Sequence, residues 1–347
     1  MQNRLNNHTK EKNITQPEDI DIDFLRKNDF NWSRKSLLST KDLLPEEIEV
    51  ILNTAESFAE ILTRKVKKVP ALRGKVVINL FYENSTRTRS SFELAGKYLS
   101  ADVTNFSVST SSVKKGETLQ DTAQTLIQMG ADAVIIRHPD SGVPFQLKEF
   151  LPGNISLINA GDGSNEHPTQ ALLDLYTIIK DSCSGAPVGV PLKDKKIVLV
   201  GDVLHSRVAR SNIWLLQKFG ADIHLCGPPT LLPEIFSEYG IKIHWNLKDA
   251  IKDADIIMAL RLQRERQTTG LIPQIDEYAR LFGLDHEKIK LAKKDVKILH
   301  PGPMNRGIEI SSELADDPVY SLIGHQVSNG VAIRMALLYL LIFAGGE

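Results

Sequence analysis

The sequence predicts an α/β protein made of two doubly wound parallel-sheet domains joined by helices. Three observations predict it. Short apolar runs alternate with segments of helical period, the rhythm of a parallel sheet covered by helices on both faces. These runs fall into two sets, separated by Asp181–Lys195, a stretch of Ser, Gly, Pro and Lys that reads as a hinge. The length of 347 residues suits two domains of ordinary size.

Taken in order, residues 1–32 are polar, rich in Asn, Lys and Asp, and read as a flexible extension. Ser39-Thr40 is a plausible N-cap region ahead of a helix over Leu43–Leu62. The first set of strands is Lys75–Phe81, Val103–Phe106, Ala133–Ile136 and Ser156–Asn159. The second is Lys196–Val200, Asp222–Leu225, Lys242–Trp245, Asp255–Ala259 and Val296–Leu299. Helices fill 86–100, 117–129, 167–181, 205–219 and 325–343. Val331–Ala344 is the richest apolar stretch; Arg334 interrupts it, so it reads as a buried amphipathic helix and not as a membrane span.

Bulk chemistry removes several function classes. A formal net charge of -1 gives no general attraction to nucleic acid or anionic lipid. The two cysteines, Cys183 and Cys226, stand in unrelated contexts, which excludes a disulfide framework and points to a reducing, cytoplasmic setting. Six acidic and five basic residues in the first 30 do not make an Arg-rich, acid-poor transit peptide. No cluster of metal-ligand residues stands out, and no cofactor is expected.

Ligands of open α/β sheets bind beyond the carboxyl ends of strands. There the strand Val76–Phe81 runs into Ser85-Thr86-Arg87-Thr88-Arg89 and a helix. Free N–H groups and the positive end of the helix dipole favour an anion at such a start. Hydroxyls add donors, and Arg87 adds a planar fork suited to phosphate oxygens. The plain alternative is an N-cap beside surface arginines. Two hydroxyl residues followed by Arg-Thr-Arg after a buried strand favour anion binding. No P-loop pattern is present. Gly201-Asp202-Val203-Leu204 lacks the second glycine of a dinucleotide turn, because Val203 stands there.

The Ser85–Arg89 motif resembles the signature of aspartate and ornithine carbamoyltransferases. The resemblance continues in order through Lys114–Thr118, Arg137-His138-Pro139, His167-Pro168-Thr169-Gln170, Arg207, Arg261-Leu262-Gln263 and His300-Pro301-Gly302-Pro303, and covers roughly residues 33–347. It implies a carbamoyl phosphate-binding domain over 33–182, completed by a C-terminal helix (323–347) packing back on it, and an acceptor-binding domain over 183–322. Ser85, Thr86, Arg87 and Lys115 would hold phosphate. Thr88, Arg137 and His167 would polarise the carbonyl, and Gln170 would touch the carbamoyl amino group. Arg207, Arg261 and Gln263 would hold the acceptor's carboxylates, and the backbone carbonyls of Gly302 and Pro303 its amino group. Many relatives have Leu where Gly302 stands. His138 carries no assignment, and Arg89 reads as structural.

The resemblance also implies an active site shared between subunits of a homotrimer, with Lys115 and Ser111 (or Ser112) entering from a neighbour. Higher assemblies or regulatory chains stay open. Ornithine-specific relatives typically carry His-Pro-Cys-Gln and a His-Cys-Leu-Pro loop; His167-Pro168-Thr169-Gln170 and His300-Pro301-Gly302-Pro303 stand here instead, with no cysteine in either. Two arginines beyond separate strands of one domain suit a dicarboxylate. The expected partners are therefore carbamoyl phosphate and L-aspartate, with no nucleic acid and no membrane, in the first committed step of pyrimidine biosynthesis. The alternative is an ornithine or other amino-acid carbamoyltransferase.

Overall fold

The computed structural model describes residues 32–107, 118–182, 192–263, 271 and 274–344. Ten strands form two five-stranded sheets, ordered β1-β5-β4-β2-β3 and β10-β9-β6-β7-β8. The first sheet holds β1 (Ser36–Leu37), β2 (Val76–Phe81), β3 (Asp102–Ser107), β4 (Ala133–His138) and β5 (Ser156–Asp162). The second holds β6 (Lys196–Val200), β7 (Asp222–Cys226), β8 (Lys242–His244), β9 (Ile256–Ala259) and β10 (Lys297–Leu299). Every pairing is parallel. The central strands are continuous apolar runs because helices cover both faces.

The helices are α1 (Pro45–Thr63), α2 (Thr86–Tyr98), α3 (Leu119–Gln128), α4 (Val143–Phe150), α5 (Pro168–Ser182) and α6 (Arg207–Lys218). Shorter ones follow: α7 (Leu247–Ile251), α8 (Ile275–Phe282), α9 (His286–Ile289) and α10 (Ser312–Ala315), before the long α11 (Ile323–Tyr339). Side-chain oxygens of Ser85, Thr118 and Ser206 cap α2, α3 and α6 by accepting a backbone N–H three residues on.

The expected strands and long helices are present, with ends shifted by a few residues. Three details differ. The first helix starts at Pro45, where the Glu47 carboxylate accepts the Leu44 N–H at 2.9 Å. Ser39 and Thr40 do not cap it; they bind Glu166 instead. Trp32, the last residue of the expected extension, is buried; the other residues of that extension and most of the expected hinge (183–191) lie outside the described residues.

The third difference concerns α11. With its π-helical continuation Leu340–Ala344, it forms a helix that is long and apolar enough, over Ile323–Phe343, to cross a membrane. Yet 78% of its most apolar window is buried within the fold. It is not amphipathic: Ala332, Ile333, Met335, Ala336, Leu337 and Leu338 are all sealed, and Arg334 is buried with them. The helix packs on the first lobe, with Tyr339 edge-on to Phe58 of α1 at 5.8 Å and the Leu341 carbonyl accepting from the Ser156 hydroxyl at 2.7 Å.

Candidate active site

Sheet order locates the site. In the first sheet the chain adds β3 on one side of β2, then returns to add β4 on the other. The carboxyl ends of β2 and β4 therefore flank a switch point, where a crevice opens. Glu83–Thr88 follow β2, and Arg137 is the penultimate residue of β4. The second sheet repeats the pattern: β7 lies on one side of β6 and β9 on the other. Arg207 follows β6, Arg261 follows β9, and His300–Pro303 follow the neighbouring β10.

Ser85 caps α2, its hydroxyl accepting the Thr88 N–H at 3.4 Å. Thr86 and Arg87 are exposed and Thr88 is buried. The Arg87 guanidinium lies against Gly302, where a Cβ would fall 2.2 Å from Nη1. Gly302 has φ +61, a left-handed backbone that favours glycine, and precedes a cis bond to Pro303. The His300 ring shapes the same loop, because its Nδ1 accepts the Gly302 N–H at 2.8 Å. Burial first, then the charges of Arg87 and Arg261, push the imidazole down to about 3, so it stays neutral. Arg87 from the first lobe and Arg261 from the second thus converge on one loop.

A second junction forms at Glu83. Its carboxylate accepts from Arg207 Nη2 at 2.9 and 3.1 Å and from Arg137 Nη2 at 3.4 Å. Arg207 also donates to the Gly163 carbonyl at 3.2 Å and Arg137 to that of Ala160 at 3.2 Å. Two arginines, one from each lobe, thus share one carboxylate at this junction.

His167 precedes α5 and is buried, with its N–H bonded to the Ser211 hydroxyl at 2.8 Å. One residue back, Glu166 gathers the Thr40 N–H (2.9 Å), the Thr40 hydroxyl (2.7 Å), the Ser211 hydroxyl (2.9 Å) and the Ser39 hydroxyl. Gln170 is buried and donates to Asp174 at 2.9 Å. Gln263 is anchored through its N–H to Asp202 at 3.4 Å. His138 holds its own turn, Nδ1 accepting the Asp140 N–H at 3.0 Å. Ser111 and Lys115 lie outside the described residues. Gly201, in the turn that fails the dinucleotide pattern, sits where a Cβ would meet Tyr278 Oη at 2.9 Å and the Leu260 carbonyl at 3.0 Å. Packing, not a pyrophosphate, explains that glycine.

Sequence reasoning missed Glu83, Glu166, Asp174 and His300 as members of the site. Glu83 stands in the anion loop, Glu166 beside His167, and Asp174 one helical turn from Gln170, so spacing held a weak signal for these three.

Fold and site together define a two-lobed α/β enzyme that gathers anionic groups at paired switch points. The chain belongs to the aspartate/ornithine carbamoyltransferase family: the model of its carbamoyl-P binding domain matches residues 35–180, and that of its Asp/Orn binding domain matches 193–341. The aspartate carbamoyltransferase catalytic subunit of Thermosynechococcus vestitus is 55% identical over 313 residues, covering 89% of this chain and 95% of that protein. Aspartate transcarbamoylase from Trypanosoma cruzi, solved with carbamoyl aspartate and phosphate, superposes with a TM-score of 0.78 at 29% identity, over 90% of this chain and 97% of that one. Ornithine carbamoyltransferase from Pyrococcus furiosus gives 0.77 at 28% identity, over 92% and 99%. Backbone shape therefore does not separate the two acceptors.

Proposed function

We propose that this chain is an aspartate carbamoyltransferase, moving the carbamoyl group of carbamoyl phosphate to the amino nitrogen of L-aspartate. The observation that carries this reading is the pairing of arginines at both switch points, Arg87 with Arg137 and Arg207 with Arg261. Each lobe is thereby equipped for an anionic substrate. Thr169 and Pro301, where a thiol would accompany ornithine, support the same choice, as does the 55% identity to a catalytic subunit of that name.

In this reading residues 33–182, completed by 323–347, bind carbamoyl phosphate, and residues 183–322 bind aspartate. Ser85, Thr86 and Arg87 take the phosphate, assisted by Lys115 and Ser111 of a neighbouring subunit in a homotrimer. Thr88, Arg137 and His167 donate to the carbonyl oxygen, meeting the negative charge that grows as the amine attacks. Gln170 accepts from the carbamoyl amino group. Arg207, Arg261 and Gln263 hold the aspartate carboxylates, and the carbonyls of Gly302 and Pro303 orient its amine. The C–N bond forms, the C–O bond to phosphate breaks, and the departing phosphate takes the amine's proton. No side-chain nucleophile is needed, since the amine is one already. Positioning two substrates supplies much of the acceleration. A cytoplasmic setting and the committed step of pyrimidine biosynthesis follow from the same reading.

The test is a parallel assay of carbamoyl phosphate with aspartate and with ornithine. N-carbamoyl-aspartate should form, with at least a thousandfold lower turnover on ornithine. Citrulline as the main product, or turnover of neither acceptor, would sink the reading.

A further inference from the structure

Asp174 lies one turn beyond Gln170 on α5 and is fully buried. It is an acceptor hub for three carboxamides. Its Oδ1 receives Gln170 Nε2 at 2.9 Å and Gln326 Nε2 of α11 at 2.7 Å, and its Oδ2 receives Asn212 Nδ2 of α6 at 2.9 Å. An ionised carboxylate has no proton to donate, so each amide must turn its NH₂ toward it. The amide oxygens are thereby aimed elsewhere. That of Gln326 accepts the His300 N–H at 2.9 Å, at the root of the Gly302-Pro303 loop. That of Asn212 is buried without a partner, a cost incurred to keep its NH₂ on Asp174 and on the Val208 carbonyl at 3.0 Å. The carboxylate is itself costly: burial foremost raises its titration to about 6, against the opposing effect of the three amides and of buried Arg334. A fully buried charge that orients three amides and leaves one oxygen stranded is not a stability device.

We propose that Asp174 is a positioning residue for carbamoyl phosphate: by binding the Gln170 NH₂ it turns the Gln170 oxygen toward the substrate, where it accepts from the carbamoyl amino group. The proposal rests on the reading of Gln170 given above. It assigns Asp174 a selectivity role as well. Carbamoyl phosphate offers an amino group at that point, whereas the near-isosteric acetyl phosphate offers a methyl group, which cannot donate. A correctly turned Gln170 favours the first. A freely rotating amide, or one with its NH₂ facing the ligand, does not.

The experiment compares equilibrium binding of carbamoyl phosphate and acetyl phosphate, by calorimetry at pH 8, to the wild type and to folded variants. A single neutral hydrogen bond corresponds to about three- to tenfold in affinity. Asp174→Ala should reduce the carbamoyl/acetyl preference by about that factor. Asp174→Glu, which keeps the charge but shifts the carboxylate by one methylene, should do the same and serves if the alanine variant does not fold. Asp174→Asn should retain the preference within about threefold. Its oxygen can keep Gln170 and Gln326, and its NH₂ meets the Asn212 oxygen once that amide flips, giving up its bond to the Val208 carbonyl. A general loosening of the fold would weaken both ligands alike and leave the ratio intact. An intact ratio in folded Asp174→Ala or Asp174→Glu, or a collapsed one in Asp174→Asn, overturns the proposal. Gln170→Ala separates the two layers: if it leaves the ratio unchanged, the reading of Gln170 fails first. If it collapses the ratio while Asp174→Ala does not, only the role of Asp174 fails.

Discussion

His300 shows how a single residue serves the site through its protonation state. Its Nδ1 must be unprotonated to accept the Gly302 N–H, and burial beside Arg87 and Arg261 ensures it. A histidine in the unfolded chain titrates near 6.5, this one at about 3. Between those values the unfolded chain binds a proton that the folded chain refuses. Stability is therefore intact above pH 6.5 and is lost as pH falls toward 3, by up to about 5 kcal/mol. Asp174 acts in the opposite sense: its pKa rises from 3.8 to about 6, so the folded chain protonates first and gains stability as pH falls through that window. His300→Asn places an amide oxygen where Nδ1 stood and removes the titration. Urea unfolding followed from pH 7 to 4 should show a shallower decline for this variant. An unchanged slope would mean that the imidazole is not held neutral.

At the scale of elements, α11 is the clearest case of sequence and structure reading differently. Its apolar residues surround the axis because it is enclosed by α1, α2 and α5, not because it meets lipid. Arg334 is tolerated there through bonds to the Ser91 hydroxyl (2.9 Å) and the Gly330 carbonyl (3.1 Å), and by stacking over Phe92. Its guanidinium also reaches Thr169 at 3.4 Å, which ties the helix to the start of α5. Leu337 is fully buried while Val327 on the same helix is 59% exposed. Leu337→Ala should cost roughly 2–5 kcal/mol of unfolding free energy and Val327→Ala less than about 0.5. Equal losses in denaturant titration would contradict this core-helix account. That this helix is buried was legible in the sequence, from Arg334 within its apolar run; that it is covered on all sides was not, since only the packing of α1, α2 and α5 decides how many of its faces are enclosed.

The whole molecule depends on contacts that cross between the lobes. Glu166 is the centre of one: it holds Thr40 at one end of the first sheet and Ser211 of α6 in the second lobe, while Ser211 also takes the His167 N–H. Glu166→Ala would take the acceptor from two buried donors, the Thr40 N–H and the Ser211 hydroxyl, at about 1–3 kcal/mol each. The variant should unfold at lower urea and expand in solution scattering. A wild-type radius with wild-type stability would show that the lobes do not need this junction. The shared-site reading is tested at the same scale. Arg87→Ala and Lys115→Ala proteins, each nearly inactive alone, should recover part of the activity when their subunits are mixed, through sites that inherit neither lesion. No recovery after demonstrated mixing would argue for a site complete within one chain.

The sequence by itself determined the α/β class, the two sets of strands and the positions after them where Arg87, Arg137, Arg207 and Arg261 stand. Such features are local: apolar period, cap residues and strand ends are written in neighbouring residues. Only the tertiary structure decided what those arginines meet. Glu83 joins Arg137 to Arg207 across the lobes, and Arg87 rests on a glycine more than 200 residues further along the chain. It also decided that Asp174, one polar residue among several on α5, is the buried acceptor for amides from three helices. A carboxylate on a helix face reads the same whether water or three amides surround it, and only the packing of the other elements tells which.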